Sequence, residues 1–150
     1  MKIWKAEGNN AIKLPSVLAA GGYFGQIKKD GYFYQFEKTS DNSYLFSRNI
    51  SKTTGMLTEK GANVPHLIET LSALPANTIV LGEIYFPGKT SKDVTRVMGC
   101  LPEEAVKRQE KDGYIRYYIH DLIYFNNEDY QEKGAYERYL KLKEIFKEYN

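Results

Sequence analysis

Five stretches alternate apolar or aromatic with polar residues, at Tyr23 to Lys28, Tyr32 to Lys38, Ser43 to Arg48, Thr78 to Phe86 and Tyr114 to Tyr124, and they constrain the fold more than any other feature of the chain. Alternation with a period of two turns one set of side chains to a core and the other to solvent or a ligand, the pattern of a half-buried strand. The first three stretches follow one another too closely for a helix to cross between them, so hairpin-like antiparallel pairing is expected. Helical signals come later. Asn63 is placed to cap a helix with Pro65 in its first turn and Leu67, Ile68, Leu71 and Leu74 on its apolar face. Thr90 or Ser91 opens a short helix through Met98, and Pro102 opens another through Glu110 that the Asp112-Gly113 turn ends. From Tyr130 to Tyr149, the residues Tyr139, Leu142, Phe146 and Tyr149 recur at helical spacing, with Glu137 and Lys141 set to form an ion pair. Strands in succession with helices interspersed later define an α+β class, a largely antiparallel sheet with flanking helices.

The 150 residues suffice for one domain with a real core and are too few for two ordinary ones. No repeat, low-complexity tract or linker divides them. With 27% charged and 42% hydrophobic residues, the composition is globular rather than disordered or membrane-spanning. No run approaches the roughly 20 apolar residues of a bilayer span, and the stretch from Met1 to Glu7 lacks the apolar core of a signal peptide, so a cytosolic protein with no membrane partner is expected. The single cysteine, Cys100, excludes an internal disulfide and any cysteine-based zinc site, and reads as a small buried or half-buried side chain rather than a reactive thiol. A formal charge of +2 excludes a strongly basic arm that would coat nucleic acid indiscriminately. Lys13, Lys28, Lys29, Lys38, Lys52 and Lys60 lie in the first 60 residues while the carboxylates gather mainly later, which permits a nucleic-acid or polyphosphate face in the first half and is met equally by a solvated surface.

Several polar residues fall where chemistry is possible. If 23–28 is a strand, Phe24, Gln26 and Lys28 share a face, so Gln26 and Lys28 line one pocket and Lys29 points away, as a solvated lysine or a contact to a DNA phosphate. A lysine amine has an ordinary pKa of about 10.4 and attacks an electrophile only where its surroundings favour the neutral form, through burial or neighbouring cations. Asp30 and Gly31 form the turn that follows, Gly31 supplying a backbone angle that other residues resist. Arg48 shares a strand face with Tyr44 and Phe46, either as a cation on aromatic rings or as a ligand-binding group. Glu83 lies on the face of Ile79, Leu81 and Tyr85, an isolated carboxylate that needs a partner. His120 is either a hydrogen-bonded strand histidine or a flat ring able to stack on a ligand, with Tyr118 as the other platform, and His66 reads as a surface residue.

The ordered series Lys28-Lys29-Asp30-Gly31, Ser47-Arg48-Asn49, Leu81-Gly82-Glu83-Ile84 and Tyr117-Tyr118-Ile119-His120-Asp121 resembles the nucleotidyltransferase core of ATP-dependent DNA ligases, most of all those of phages and prophages. The resemblance runs from about Gly22 to the last residues and takes in Ala135-Tyr136-Glu137-Arg138-Tyr139-Leu140 as the helix after the aromatic-Asp strand. It implies the first part of a ligase and capping-enzyme nucleotidyltransferase domain, an ATP-grasp-like fold. It also implies that Lys28 takes AMP from ATP, expelling pyrophosphate and forming lysyl-AMP. The AMP then passes to the 5′-phosphate of a nick in double-stranded DNA, and the adjacent 3′-hydroxyl displaces it.

On that pattern Asp30 orients Lys28, while Gln26, Ile27, Arg48, Glu83 and His120 line the nucleotide pocket; Arg48 contacts ribose or phosphate, and Glu83 holds the ribose hydroxyl or a metal-bound water. Magnesium is the implied metal and a monomer the implied state. Two residues depart from the pattern. His120 stands where phenylalanine is usual, and Phe33 where cellular ligases commonly have arginine, which weakens the usual grip on the nick phosphate. The later metal-binding E-G-x-x motif, the K-x-K strand and the OB-fold domain do not occur in these 150 residues, which read as a partial adenylation domain with little or no nick-sealing activity of its own. RNA ligases and mRNA guanylyltransferases share the lysine and its pocket, and a non-catalytic nucleotide- or nucleic-acid-binding remnant is the alternative from another class.

Overall fold

The computed structural model of the protein describes Ala19 and residues 24–148. Six strands form one antiparallel sheet: β1 (Gly31–Lys38), β2 (Ser43–Ile50), β3 (Leu57–Glu59), β4 (Thr78–Tyr85), β5 (Arg116–Phe125) and β6 (Glu128–Asp129), in the spatial order β3-β2-β1-β4-β5-β6. Helices α1 (Pro65–Leu71), α2 (Ser91–Met98), α3 (Pro102–Asp112) and α4 (Ala135–Glu148) flank it among the described residues. The α+β class and the antiparallel sheet expected from the sequence are both present. Among the described residues no helix is long and apolar enough to cross a membrane.

Strand alternation divides the sheet into two faces. Tyr34 and Phe36 of β1, Leu45 of β2, Val80 and Ile84 of β4, and Leu122 of β5 are buried in one core with Leu71, Val94, Val97, Met98, Ala105, Leu142 and Ile145 from the four helices. The intervening residues, among them Phe33, Leu81, Glu83, Tyr118 and His120, belong to the other face, which carries the site. Between β1 and β2, the Thr39 hydroxyl accepts from the backbone N–H groups of Asp41 and Asn42, closing the hairpin the spacing predicted.

Several boundaries differ from expectation for identifiable reasons. Phe24 to Lys29 form no strand; Tyr23 lies outside the described residues, and β1 begins only at Gly31. Asn63 does not cap α1. It sits in a one-turn 3-10 helix (Gly61–Asn63), and its amide donates to the carbonyls of Val97 and Cys100, tying that turn to the α2–α3 corner. Cys100 is half-buried as expected. His66 is half-buried rather than on the surface, with Nε2 at 2.9 Å from the Ile115 carbonyl and its ring edge-on to Tyr114.

Thr90 caps α2 through a reciprocal box with Asp93, and Gly113, at a φ of 98°, ends α3. Tyr130 precedes α4: its N–H bonds to the Ile123 carbonyl, and its ring is a core plug rather than part of the helix. In and just before α4 the ion pairs are Lys133 with Glu137 (3.4 Å), Lys141 with Glu144 (2.6 Å) and, to β5, Arg138 with Asp121 (2.7 Å), not Glu137 with Lys141. Tyr149 lies outside the described residues.

Candidate active site

Residues 24–30 form a strap pinned to the rest of the fold at three points. Phe24 lies between Tyr136 and Tyr139 of α4, with ring centroids 5.4 and 5.1 Å away. The Gln26 amide donates to the backbone carbonyl of His120 on β5 at 3.0 Å. At the far end Asp30 accepts a hydrogen bond from the Ser91 N–H, at the start of α2, at 3.2 Å. Held so, the strap runs over the sheet face opposite the main core and presents Lys28 to it.

Asp30 thus acts as an anchor for the chain around Lys28. Gly31 does not have the left-handed angle anticipated for it. Glycine is required there because a Cβ would come within 2.0 Å of the Ile84 carbonyl oxygen.

Beneath the strap lies a cleft of about 590 Å³. Gln26, Ile27, Lys28, Arg48, Glu83 and His120, the residues picked out from four separated motifs, all line it. Their convergence follows from strand order. β1 sits between β2 and β4, so Phe33 is directly opposite Glu83, and Glu83 opposite Tyr118 on β5. Arg48, the last of these from β2, lays its guanidinium over the Phe33 ring at 5.0 Å. Phe33 is therefore the centre of the cleft floor, flanked by Arg48 and, at 6.4 Å, by the His120 ring. Ile27, 67% exposed, adds apolar surface to the lining of the same cleft.

Two irregularities in β5 decide which of its residues reach the site. Gly82 faces Ile119 but Leu81 faces Asp121, and Val80 faces Leu122 but Ile79 faces Tyr124, so the register steps past His120 and again past Ile123. The first bulge turns His120 and Asp121 together toward the cleft, which a regular strand cannot do with consecutive residues. Asp121 is then met by α4. Arg138 grips it with both ends of the guanidinium, Nε to Oδ1 at 2.7 Å and Nη2 to Oδ2 at 3.0 Å, and gives its remaining nitrogen to the Lys133 carbonyl. This pair fixes the wall of the cleft, and the cue in the sequence was the lone arginine of the terminal helix.

Glu83 has no salt-bridge partner among the described residues. Burial raises its carboxyl pKa above the ordinary value; Lys28 and Arg48 pull it back and Asp30 adds to the rise, with burial prevailing. Lys28 and Arg48, whose side chains are exposed, line the same cleft as this carboxylate. Burial also lowers the His120 pKa, against the opposing pull of Asp121, so the ring is held toward its neutral form.

Lys29 does not point away. It is half-buried, lines the same cleft, and sets its ammonium over the rings of Tyr85 (4.8 Å) and Tyr118 (5.6 Å). Strand alternation in 23–28 implied the opposite, and the strap conformation removes that implication.

Residues 10–150 match the family described as the ATP dependent DNA ligase domain. A DNA ligase of Sulfolobus acidocaldarius is 27% identical over 136 residues, which cover 86% of this chain and 22% of that protein. Among solved structures, the fold is similar to that of mycobacterial DNA ligase D complexed with ATP and MES, with a TM-score of 0.54 and 17% identity across 81% of this chain and 36% of that one. This chain belongs to the ATP-dependent DNA ligase domain family.

Proposed function

We propose that the chain carries the nucleotide-activating part of an ATP-dependent DNA ligase. The Lys28 amine, once neutral, attacks the α-phosphorus of ATP. A nitrogen–phosphorus bond forms, the bond from that phosphorus to the bridging oxygen breaks, and pyrophosphate leaves. The lysyl-AMP then gives its adenylate to the 5′-phosphate of a nick in duplex DNA, where the 3′-hydroxyl completes the join and releases AMP. The observation that carries this reading is the convergence of Lys28, Arg48, Glu83 and His120 in one cleft under the strap.

Arg48 offers two donors to phosphate or ribose oxygens, and Glu83 an acceptor for a ribose hydroxyl. The base lies against Phe33 and His120 with Ile27 across from it, and Gln26 is within reach of its edge. Magnesium fits as a shared ion: no cluster of three metal-binding side chains occurs among the described residues, and Asp121 is occupied by Arg138, which leaves Glu83 to hold it together with the nucleotide phosphates. Bound there, it would neutralise charge on the phosphate oxygens. On this reading the protein works in the cytosol as a monomer on nicked DNA. The test is to incubate the protein with ATP and magnesium and measure its intact mass. One adenylate per chain is expected, mapping to the peptide that contains Lys28, and an unmodified mass would sink the proposal.

Two further outcomes are expected from the electrostatics. Because the Glu83 pKa is raised in the folded chain, ionising it costs stability wherever the pH exceeds the ordinary carboxyl value of 4.5, and the full cost is present above the folded value. Glu83→Gln therefore melts at a higher temperature than wild type at neutral pH, the gap closing on acidification, while adenylate transfer falls on the order of 100-fold. Thermal melts across pH, paired with adenylylation rates, check both halves.

For His120 the sign is reversed in chemical terms. Its folded pKa lies below the ordinary 6.5, so the stability it contributes is complete above 6.5 and is lost as pH falls through the folded value. The neutral ring that stacks on the base is lost over the same range. ATP affinity of the wild type is expected to fall on acidification more than that of His120→Phe, read by calorimetry between about pH 5 and about pH 8. The difference between the two proteins cancels the titration of the nucleotide itself.

A further inference from the structure

We propose that Lys29 is a second phosphate-holding residue of the cleft, binding the β- and γ-phosphates of the nucleotide and so the pyrophosphate that leaves; the inference rests on the nucleotide-binding reading of the same cleft. The charges of the site point to it. Asp121 and Arg138 neutralise each other, which leaves three cations, Lys28, Lys29 and Arg48, in the lining against the carboxylate of Glu83 and, at the end of the strap, that of Asp30. None of these three cations forms a salt bridge among the described residues. A cleft with such an excess suits a ligand carrying several negative charges. Lys29 is also the more enclosed of the two adjacent lysines, half-buried where Lys28 is exposed. The faces of Tyr85 and Tyr118 hold its ammonium in place without neutralising it, and leave N–H donors free for oxygen acceptors.

Position along the cleft assigns the ligand. Gln26 bonds to the His120 carbonyl at one end, Glu83 pairs across the sheet with Tyr118 in the middle, and Tyr85 lies one same-face position further along β4. The strap runs in the same direction, so Lys29 comes after Lys28 on the way from His120 to Tyr85. A nucleotide with its base at His120 and its α-phosphate at Lys28 extends its remaining phosphates toward Lys29. The 5′-phosphate of a DNA nick has the same chemistry, and the experiment separates the two sources.

The test is equilibrium binding by calorimetry of AMP, inorganic pyrophosphate and a non-cleavable α,β-methylene analogue of ATP to the wild type, to Lys29→Met and to Lys29→Arg. Methionine keeps an apolar stem on the tyrosine rings and removes the charge; arginine keeps the charge. Expected for Lys29→Met is a loss of affinity of about tenfold for the analogue and for pyrophosphate, with AMP binding unchanged and recovery in Lys29→Arg. Equal losses for AMP and the analogue mark a structural role and overturn the proposal, as does no loss at all or a wild type that binds neither pyrophosphate nor the analogue. A loss confined to binding of a 5′-phosphorylated nicked duplex assigns Lys29 to DNA and overturns it too. Because the analogue cannot transfer adenylate, these outcomes are independent of whether Lys28 becomes modified.

Discussion

Lys28→Arg is expected to abolish covalent adenylylation while leaving the fold and most of the nucleotide affinity intact. Guanidinium keeps its proton at any pH a protein survives, so it offers no lone pair to phosphorus, yet it preserves the positive charge beside Glu83. Lys28 is exposed and makes no hydrogen bond in the described structure, so its replacement removes no packing, and the melting temperature should stay within the small range typical of surface substitutions. The cleft retains Arg48, Lys29, Glu83 and its aromatic floor, so the surface on which a nucleotide would bind is otherwise unchanged. Intact-mass measurement after incubation with ATP and magnesium checks the prediction, with calorimetry as the control for binding. Adenylate still attached in Lys28→Arg, on Lys29 for example, would move the nucleophile by one residue and refute the assignment.

That the residues lining the cleft were legible in the sequence, while the strap that carries Lys28 was misread, has a physical explanation. Strands β1, β2, β4 and β5 each bury one face, so their period of two is imposed by a core and shows in the residues themselves. The strap alternates for another reason: Phe24 and Gln26 are anchors to separate partners, Tyr136, Tyr139 and the His120 carbonyl, all of them over ninety residues away along the chain. Local pattern cannot distinguish anchors from a strand face. The pairing of Asp121 with Arg138 was equally hidden, because it depends on a bulge at His120 that no turn residue announces and on how α4 lies against β5. Strands β3 and β6, three and two residues long, carry too few residues to show any period. Phe33 was visible as a missing cation, but its place at the centre of the floor emerged only from the β1–β4 register.

Gly31→Ala is expected to damage the protein more than any other single-methyl change near the site. The added Cβ would stand 2.0 Å from the Ile84 carbonyl oxygen and 2.9 Å from its carbon, and both are backbone atoms of a central strand with core on its other face. A flexible side chain could swing aside; a paired strand cannot, so either β1 lifts from β4 at the Gly31–Tyr85 pair or β4 itself shifts. Overpacking of this kind costs about 1–3 kcal/mol, which for a chain of this size lowers the melting temperature by several degrees. Activity should suffer beyond what stability explains. Gly31 follows directly on the strap, one residue after the Asp30 anchor and three after Lys28, so lifting the start of β1 displaces the amine from Glu83 and the Lys29 ammonium from Tyr85. Adenylylation measured well below the melting temperature is therefore expected to fall on the order of 100-fold, the scale at which small misplacements of a reacting group are felt. A variant that melts like the wild type and accepts adenylate at the same rate would mean that β1 and β4 do not approach this closely, and would remove the register on which the placement of the whole cleft depends.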